Sequence, residues 1–145
     1  MIKVRHRYLN RLIEYQDTEF IKVLTGVRRC GKSYVLTMFR DHLLESGLDP
    51  KQIIYINFEH PDTDSIKTAP ALNSYIKTYA SQEKKNYFLF DEIQEVDSWQ
   101  RVINGLRVAY DSDIYITGSN AKILSGELAS LLSGRYVEIK IMPLS

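Results

Sequence analysis

One cysteine is all the sequence holds, which excludes an intramolecular disulfide framework and fits a reducing compartment. The histidines, scattered at His6, His42 and His60, assemble no zinc constellation with it. Long apolar runs are missing too. Stretches such as Ile53 to Phe58 are a fraction of the roughly 18 to 20 residues needed to span a bilayer. The charged start, Met1-Ile2-Lys3-Val4-Arg5-His6-Arg7, leads into no apolar segment, so it is not a secretory signal. A cytoplasmic location is the expectation. Net charge is nearly absent at +1, leaving no global field that would argue for nucleic acid or an anionic membrane. Only Arg5, His6, Arg7 and Arg11 form a local basic cluster, readable as a DNA contact or as a solvated face. Internal repeats, low-complexity tracts and an Asn-Lys-x-Asp guanine-reading signal are also lacking.

What is present is the composition of one soluble globular domain: 145 residues, 44% hydrophobic and 26% charged. Residues 7–16 place Tyr8, Leu9, Leu12 and Ile13 at helical spacing, so a helical segment over 1–18 precedes a core over 19–145. Apolar strands are expected at Phe20–Thr25, Ile53–Phe58, Tyr87–Phe90, Ile114–Thr117 and Tyr136–Ile141. Helices are expected between them at Ser33–Ser46, Ala71–Gln82 and from Trp99 onward, with a short one near Ile123–Leu132. Asp97 and Gln100 read as the capping box of the third. Strands that alternate with helices and are apolar throughout predict an α/β fold, a mostly parallel sheet covered on both faces. Such sheets bind ligands beyond the carboxyl ends of their strands, where the polar signals of this chain fall.

The first signal is Gly26-Val27-Arg28-Arg29-Cys30-Gly31-Lys32-Ser33, a match to G-x-x-x-x-G-K-[ST] between an apolar strand and a helix. Chance supplies that pattern in roughly one chain in two hundred of this length, and the flanking elements make chance a poorer account still. Glycines let the backbone curl until successive N–H groups, that of Tyr34 included, point at phosphate oxygens. The helix dipole adds positive potential, Lys32 is expected to reach the β- and γ-phosphates, and Ser33 to ligate Mg²⁺. Cys30 is readable as a redox-sensitive thiol or as a small residue of which only the backbone matters.

Phe88-Leu89-Phe90-Asp91-Glu92 is the second signal. A buried strand would deliver Asp91 to the Mg²⁺ opposite Ser33, and Glu92 could polarise an attacking water. A small-molecule kinase has no use for that second acid. Thr117-Gly118-Ser119-Asn120 ends the fourth strand, either as a plain turn or as a place for a side chain bridging water and γ-phosphate. Arg135 is readable as a surface arginine or as a finger stabilising transition-state charge, in cis or toward a neighbouring subunit.

Together with Ser133-Gly134-Arg135 and Pro143-Leu144-Ser145, these motifs resemble the AAA+ ATPase superfamily. More narrowly, Thr25 to Arg29, Asp91 to Gln94 and Gly134-Arg135-Tyr136 resemble prokaryotic ATPases whose P-loop domain precedes a C-terminal domain of unknown function. The resemblance implies a three-layer α/β/α P-loop NTPase core with five strands in the order 5-1-4-3-2. It implies Lys32 and Ser33 as P-loop residues, Asp91 as the magnesium aspartate and Glu92 as the water-activating acid. Ser119 or Asn120 would be sensor 1, and Arg135 the finger-like arginine. AAA+ proteins carry a helical lid after the core; none follows Ser145 here, so the expectation is a lidless piece of a longer chain with a C-terminal domain beyond Ser145. The expected function is Mg²⁺-dependent ATP binding and hydrolysis that drives an attached or partner domain. A homo-oligomer is compatible with it. The alternative is a nucleotide-gated binding module, for DNA among other partners, with little hydrolysis.

Overall fold

The computed structural model describes residues 2–26, 31–119, 123 and 135–142, with the backbone alone for residues 2–5. In chain order the described elements are α1 (Ile2–Tyr15), β1 (Ile21–Thr25), α2 (Lys32–Glu45), β2 (Ile53–Asn57), α3 (Ala69–Tyr79), β3 (Asn86–Asp91), α4 (Trp99–Ala109), β4 (Ser112–Gly118) and β5 (Tyr136–Lys140). Every neighbouring pair of strands is parallel, and their order is β2-β3-β4-β1-β5. Read from the other edge, this is the expected 5-1-4-3-2. The architecture is the three-layer α/β/α sandwich of P-loop NTPases.

Period-two alternation along buried strands sorts the side chains into two cores. Ile21, Val23, Phe88, Phe90, Ile114 and Ile116 face the side covered by α3 and α4, meeting Leu72, Ile76, Trp99, Val102 and Leu106. Leu24, Tyr87, Leu89, Tyr115 and Ile139 face the other side, meeting Val35, Leu36, Phe39 and Leu43 of α2 and Leu12 of α1. The apolar face of α1 is therefore buried on the domain, whereas His6, Arg7 and Arg11 are exposed.

Several boundaries differ from the expectation. α1 begins at Ile2, and α3 spans Ala69–Tyr79, capped by Thr68, whose hydroxyl accepts from Ala71 N. The loop expected over 60–70 contains a 3-10 turn at Pro61–Ile66. The capping box at Asp97 does not form. Asp97 instead bridges Thr68, donating its N–H to Lys67 O at 2.9 Å, and Ser98 then enters α4 through a left-handed turn (φ 59°) without a side-chain cap. The helix expected near Ile123–Leu132 lies outside the described residues, apart from Ile123, which is helical and buried.

A buried polar cluster crosses the second core, at the end of the sheet away from the glycine-rich loop. Lys22 and Asp113, both essentially without solvent contact, form an ion pair between β1 and β4. The Tyr115 hydroxyl donates to Asp113 Oδ2 at 2.6 Å, and the Asp17 N–H donates to the same oxygen at 2.9 Å. Tyr87 in turn donates to Asp17 Oδ1 at 2.7 Å. Burial lowers the Lys22 pKa against the opposing pull of Asp113.

Candidate functional site

The carboxyl ends of β1, β3 and β4 converge on one side of the sheet. β1 runs into Gly26 (φ 149°), and Gly31 (φ 99°) caps α2, so both glycines take backbone angles that side chains disfavour. Between them, Val27, Arg28, Arg29 and Cys30 lie outside the described residues. α2 begins at Lys32, which points its first-turn N–H groups toward the loop. The Lys32 side chain is buried, donates to Gly26 O at 2.8 Å, and has Glu92 Oε1 3.3 Å away. Tyr34, two residues on in the same turn, is half exposed.

Asp91 closes β3 and has no solvent exposure. Thr117 donates its hydroxyl to Asp91 Oδ1 at 2.5 Å, Tyr55 approaches Oδ2 at 3.4 Å, and the Ser33 hydroxyl hydrogen-bonds to the same carboxylate. Burial raises the Asp91 pKa above its ordinary 3.8; the hydroxyls of Ser33 and Thr117 lower it, and the charges of Glu92 and Glu59 raise it further. Glu92 follows in the left-handed region (φ 56°, ψ 52°), a strained conformation for a long side chain and one associated with functional sites. Its N–H donates to Thr117 Oγ1 at 2.9 Å, and its Oε2 accepts from the Gln94 side chain.

The expected residues Lys32, Ser33, Asp91 and Glu92 are thus brought together. Ser119 follows the last residue of β4, two positions beyond Thr117, and its carbonyl accepts from Ile123 N at 3.0 Å. Asn120 lies outside the described residues. Arg135 is at the far end. It immediately precedes β5, and its carbonyl accepts from Ile21 N at the start of β1. About 16 Å of strand, the five residues of β1, separates it from the loop. It lines an open groove of about 570 Å³ with Glu19, Arg107 and Asp111.

Tyr55 was not singled out from sequence, and Thr117 and Gln94 entered only as members of longer motifs, without roles of their own. A threonine in a strand otherwise apolar was the available signal for Thr117. For Gln94 it was the place beside Asp91-Glu92, and Tyr55 had none beyond position.

A ligand set of one buried carboxylate and one hydroxyl fits a hard cation that takes most of its remaining oxygens from water and phosphate, as Mg²⁺ does. Among the described residues no group of three or more His, Cys, Asp or Glu side chains could hold a metal by itself.

Asp91 also makes a test. A carboxyl held above its ordinary pKa binds its proton more tightly in the folded state, so folding stability falls as pH rises from about 4. Asp91→Asn keeps the Thr117 hydrogen bond and removes the charge. In thermal unfolding between pH 4 and 8, the nucleotide-free variant is expected to melt above the wild type at neutral pH, with the gap closing toward pH 4. A neutral-pH melting point below wild type would contradict this.

A family profile described as an AAA domain matches residues 18–145. The chain belongs to the AAA family. This AAA domain has relatives described only as uncharacterised proteins. One from Haemophilus influenzae is 53% identical over 142 residues, covering 97% of this chain and 36% of the relative. One from Methanocaldococcus jannaschii is 37% identical over 148 residues, covering 99% and 31%. The chain therefore spans about a third of the length of these curated relatives. Among solved structures, Drosophila ORC bound to DNA matches with TM-score 0.65 at 12% identity, covering 97% of this chain and 92% of that one. AMPPCP-bound DnaA from Aquifex aeolicus matches with TM-score 0.57 at 14% identity, covering 94% and 44%. At such identities these matches show that the AAA domain shares their fold.

Proposed function

We propose that this AAA domain binds ATP with Mg²⁺, hydrolyses it, and uses the change of nucleotide state to move an attached or partner domain. The observation that carries the proposal is the convergence of Lys32, Ser33, Asp91 and Glu92 at the carboxyl ends of β1 and β3, cross-linked by Thr117 of β4. In this reading the N–H groups from Gly26 to Tyr34 cradle phosphates, and Lys32 neutralises them. Ser33 and Asp91 hold Mg²⁺, which when bound supplies positive charge against the phosphate oxygens. Glu92 orients and deprotonates water, and Ser119 or Asn120 senses the γ-phosphate. The likeness in fold to AMPPCP-bound DnaA supports a triphosphate as ligand.

Arg135 belongs to this reading only in trans. A side chain separated from the loop by the length of β1 serves a neighbouring subunit, which makes a homo-oligomer part of the proposal. A cytoplasmic location is part of it as well; among the described residues no helix is long and apolar enough to cross a membrane.

The test is phosphate release from ATP by the full-length protein. Release is expected with Mg²⁺ and is expected to stop with EDTA. Turnover indifferent to chelation would remove the metal from the proposal, and no turnover under any condition would remove hydrolysis.

DNA is the second reading for the partner. It rests on exposed His6, Arg7 and Arg11 and on the shared fold with ORC bound to DNA. A titration in which affinity falls steeply with salt would support it, and no binding at low salt would end it.

A further inference from the structure

We infer that Gln94 is a positioning residue for Glu92, its side-chain amide holding the glutamate carboxylate in place after Lys32 has turned to phosphate. The inference rests on the hydrolytic reading above and extends it to a residue outside the P-loop and the Asp-Glu pair.

Glu92 is anchored at three points. Its backbone is fixed in the left-handed region, with the N–H given to Thr117. Its Oε1 faces Lys32 at 3.3 Å, and its Oε2 accepts from Gln94 Nε2. The Lys32 contact is temporary, because an ammonium drawn to the β- and γ-phosphates gives up its place beside the carboxylate. Glu92 is 5% exposed, so with that partner gone its carboxylate relies on protein donors to fix its direction. Gln94 is then the side-chain donor that remains among those described. Without it the carboxylate can swing, and a misplacement of about 1 Å in a reacting group costs on the order of 100-fold in rate.

The geometry of Gln94 suits this task. The single 3-10 turn Ile93–Glu95 folds the side chain of Gln94 back over that of Glu92. Its other end is wedged against β4: a Cβ placed on Gly118 would collide with Gln94 Oε1 and come within 2.7 Å of Ile123 Cδ1. Turning the amide over would set its oxygen against the Glu92 carboxylate. Packing at one end and charge at the other therefore fix the orientation of the amide. Gln94 Oε1 is itself buried without a hydrogen-bond partner among the described residues. Buried polar atoms of that kind are uncommon, and a catalytic site is one of the settings in which they are found.

The experiment compares Gln94→Leu, Gln94→Glu, Glu92→Gln and the double variant Gln94→Leu/Glu92→Gln in the full-length protein. Binding of a non-hydrolysable ATP analogue by the Gln94 variants is expected within about twofold of wild type, which also reports folding. kcat of Gln94→Leu is expected to fall on the order of 10-fold to 100-fold. In the Glu92→Gln background the same change is expected to add nothing, because both act through one carboxylate. Gln94→Glu can donate only when protonated, so its kcat relative to wild type should rise as pH falls; a purely structural role would give no such trend. Intact analogue binding with kcat within about twofold of wild type in Gln94→Leu, or an equal loss in both backgrounds, would overturn the inference. If Gln94→Leu does not fold, the pH series of Gln94→Glu decides, and a flat ratio to wild type overturns it. Turnover lost in Glu92→Gln but kept in the Gln94 variants sinks only the role of Gln94, whereas a wild type without turnover sinks the hydrolytic reading and the inference with it.

Discussion

Lys32→Ala is expected to weaken ATP binding at least about 100-fold, the loss of charge-assisted hydrogen bonds to two phosphates. The free domain makes this a more demanding experiment than the motif suggests. Lys32 is buried and stands beside the buried carboxylate of Glu92, which the substitution leaves without its counter-ion. Removing one member of a buried pair destabilises by about 3 kcal/mol or more. The variant is therefore expected to melt well below wild type even without ligand, and circular dichroism has to accompany the binding assay. Lys32→Ala/Glu92→Gln separates the two effects. Neutralising the carboxylate is expected to restore much of the melting temperature and none of the ATP binding. A double variant that regained affinity would show that Lys32 acts on Glu92 and not on phosphate.

Glu92→Gln is the second large effect. The amide keeps the size of the side chain and loses the charge, so the left-handed backbone and the Thr117 contact have no reason to change. ATP binding should persist or tighten, since Lys32 no longer has an ionised partner to leave. Turnover should fall by about 100-fold to 10,000-fold, the range for loss of a general base. The assay is single-turnover phosphate release by the full-length protein beside equilibrium binding of a non-hydrolysable analogue. Release within tenfold of wild type would take the role of base away from Glu92.

The parts legible in the sequence are those whose causes are local. Gly26 and Gly31 occupy backbone angles that demand glycine, so their spacing before Lys32-Ser33 carries the loop directly. Phe88-Leu89-Phe90 is apolar on both sides because the strand is buried on both faces, and Asp91 follows where it ends. The parts that were not legible depend on residues distant in the chain. Thr117 reaches Asp91 across 26 positions, and Lys22 reaches Asp113 across 91. Nothing near Lys22 distinguishes a buried cation from an edge residue facing water. Asp97 shows the reverse case. Its local pattern reads as a helix cap, but a tertiary bridge to Thr68 claims its backbone and moves the helix start into the left-handed turn at Ser98.

The Lys22–Asp113 pair bears on where phosphate can be held. β1 is inserted between β4 and β5, with apolar side chains on both of its faces. A slip of two residues against β4 would leave every side chain on its original face, so apolar patterning alone discriminates weakly against it. Such a slip would carry Gly26 and the start of the loop about 7 Å along the sheet, away from Asp91 and Glu92. A slip that set Lys22 opposite Thr117 would also draw its ammonium away from the Asp113 carboxylate, and parting a buried pair costs several kcal/mol. The charge pair at the base of the sheet thus works as a stop against that slip of β1, and through it helps set the distance between the phosphate cradle and the acids that face it.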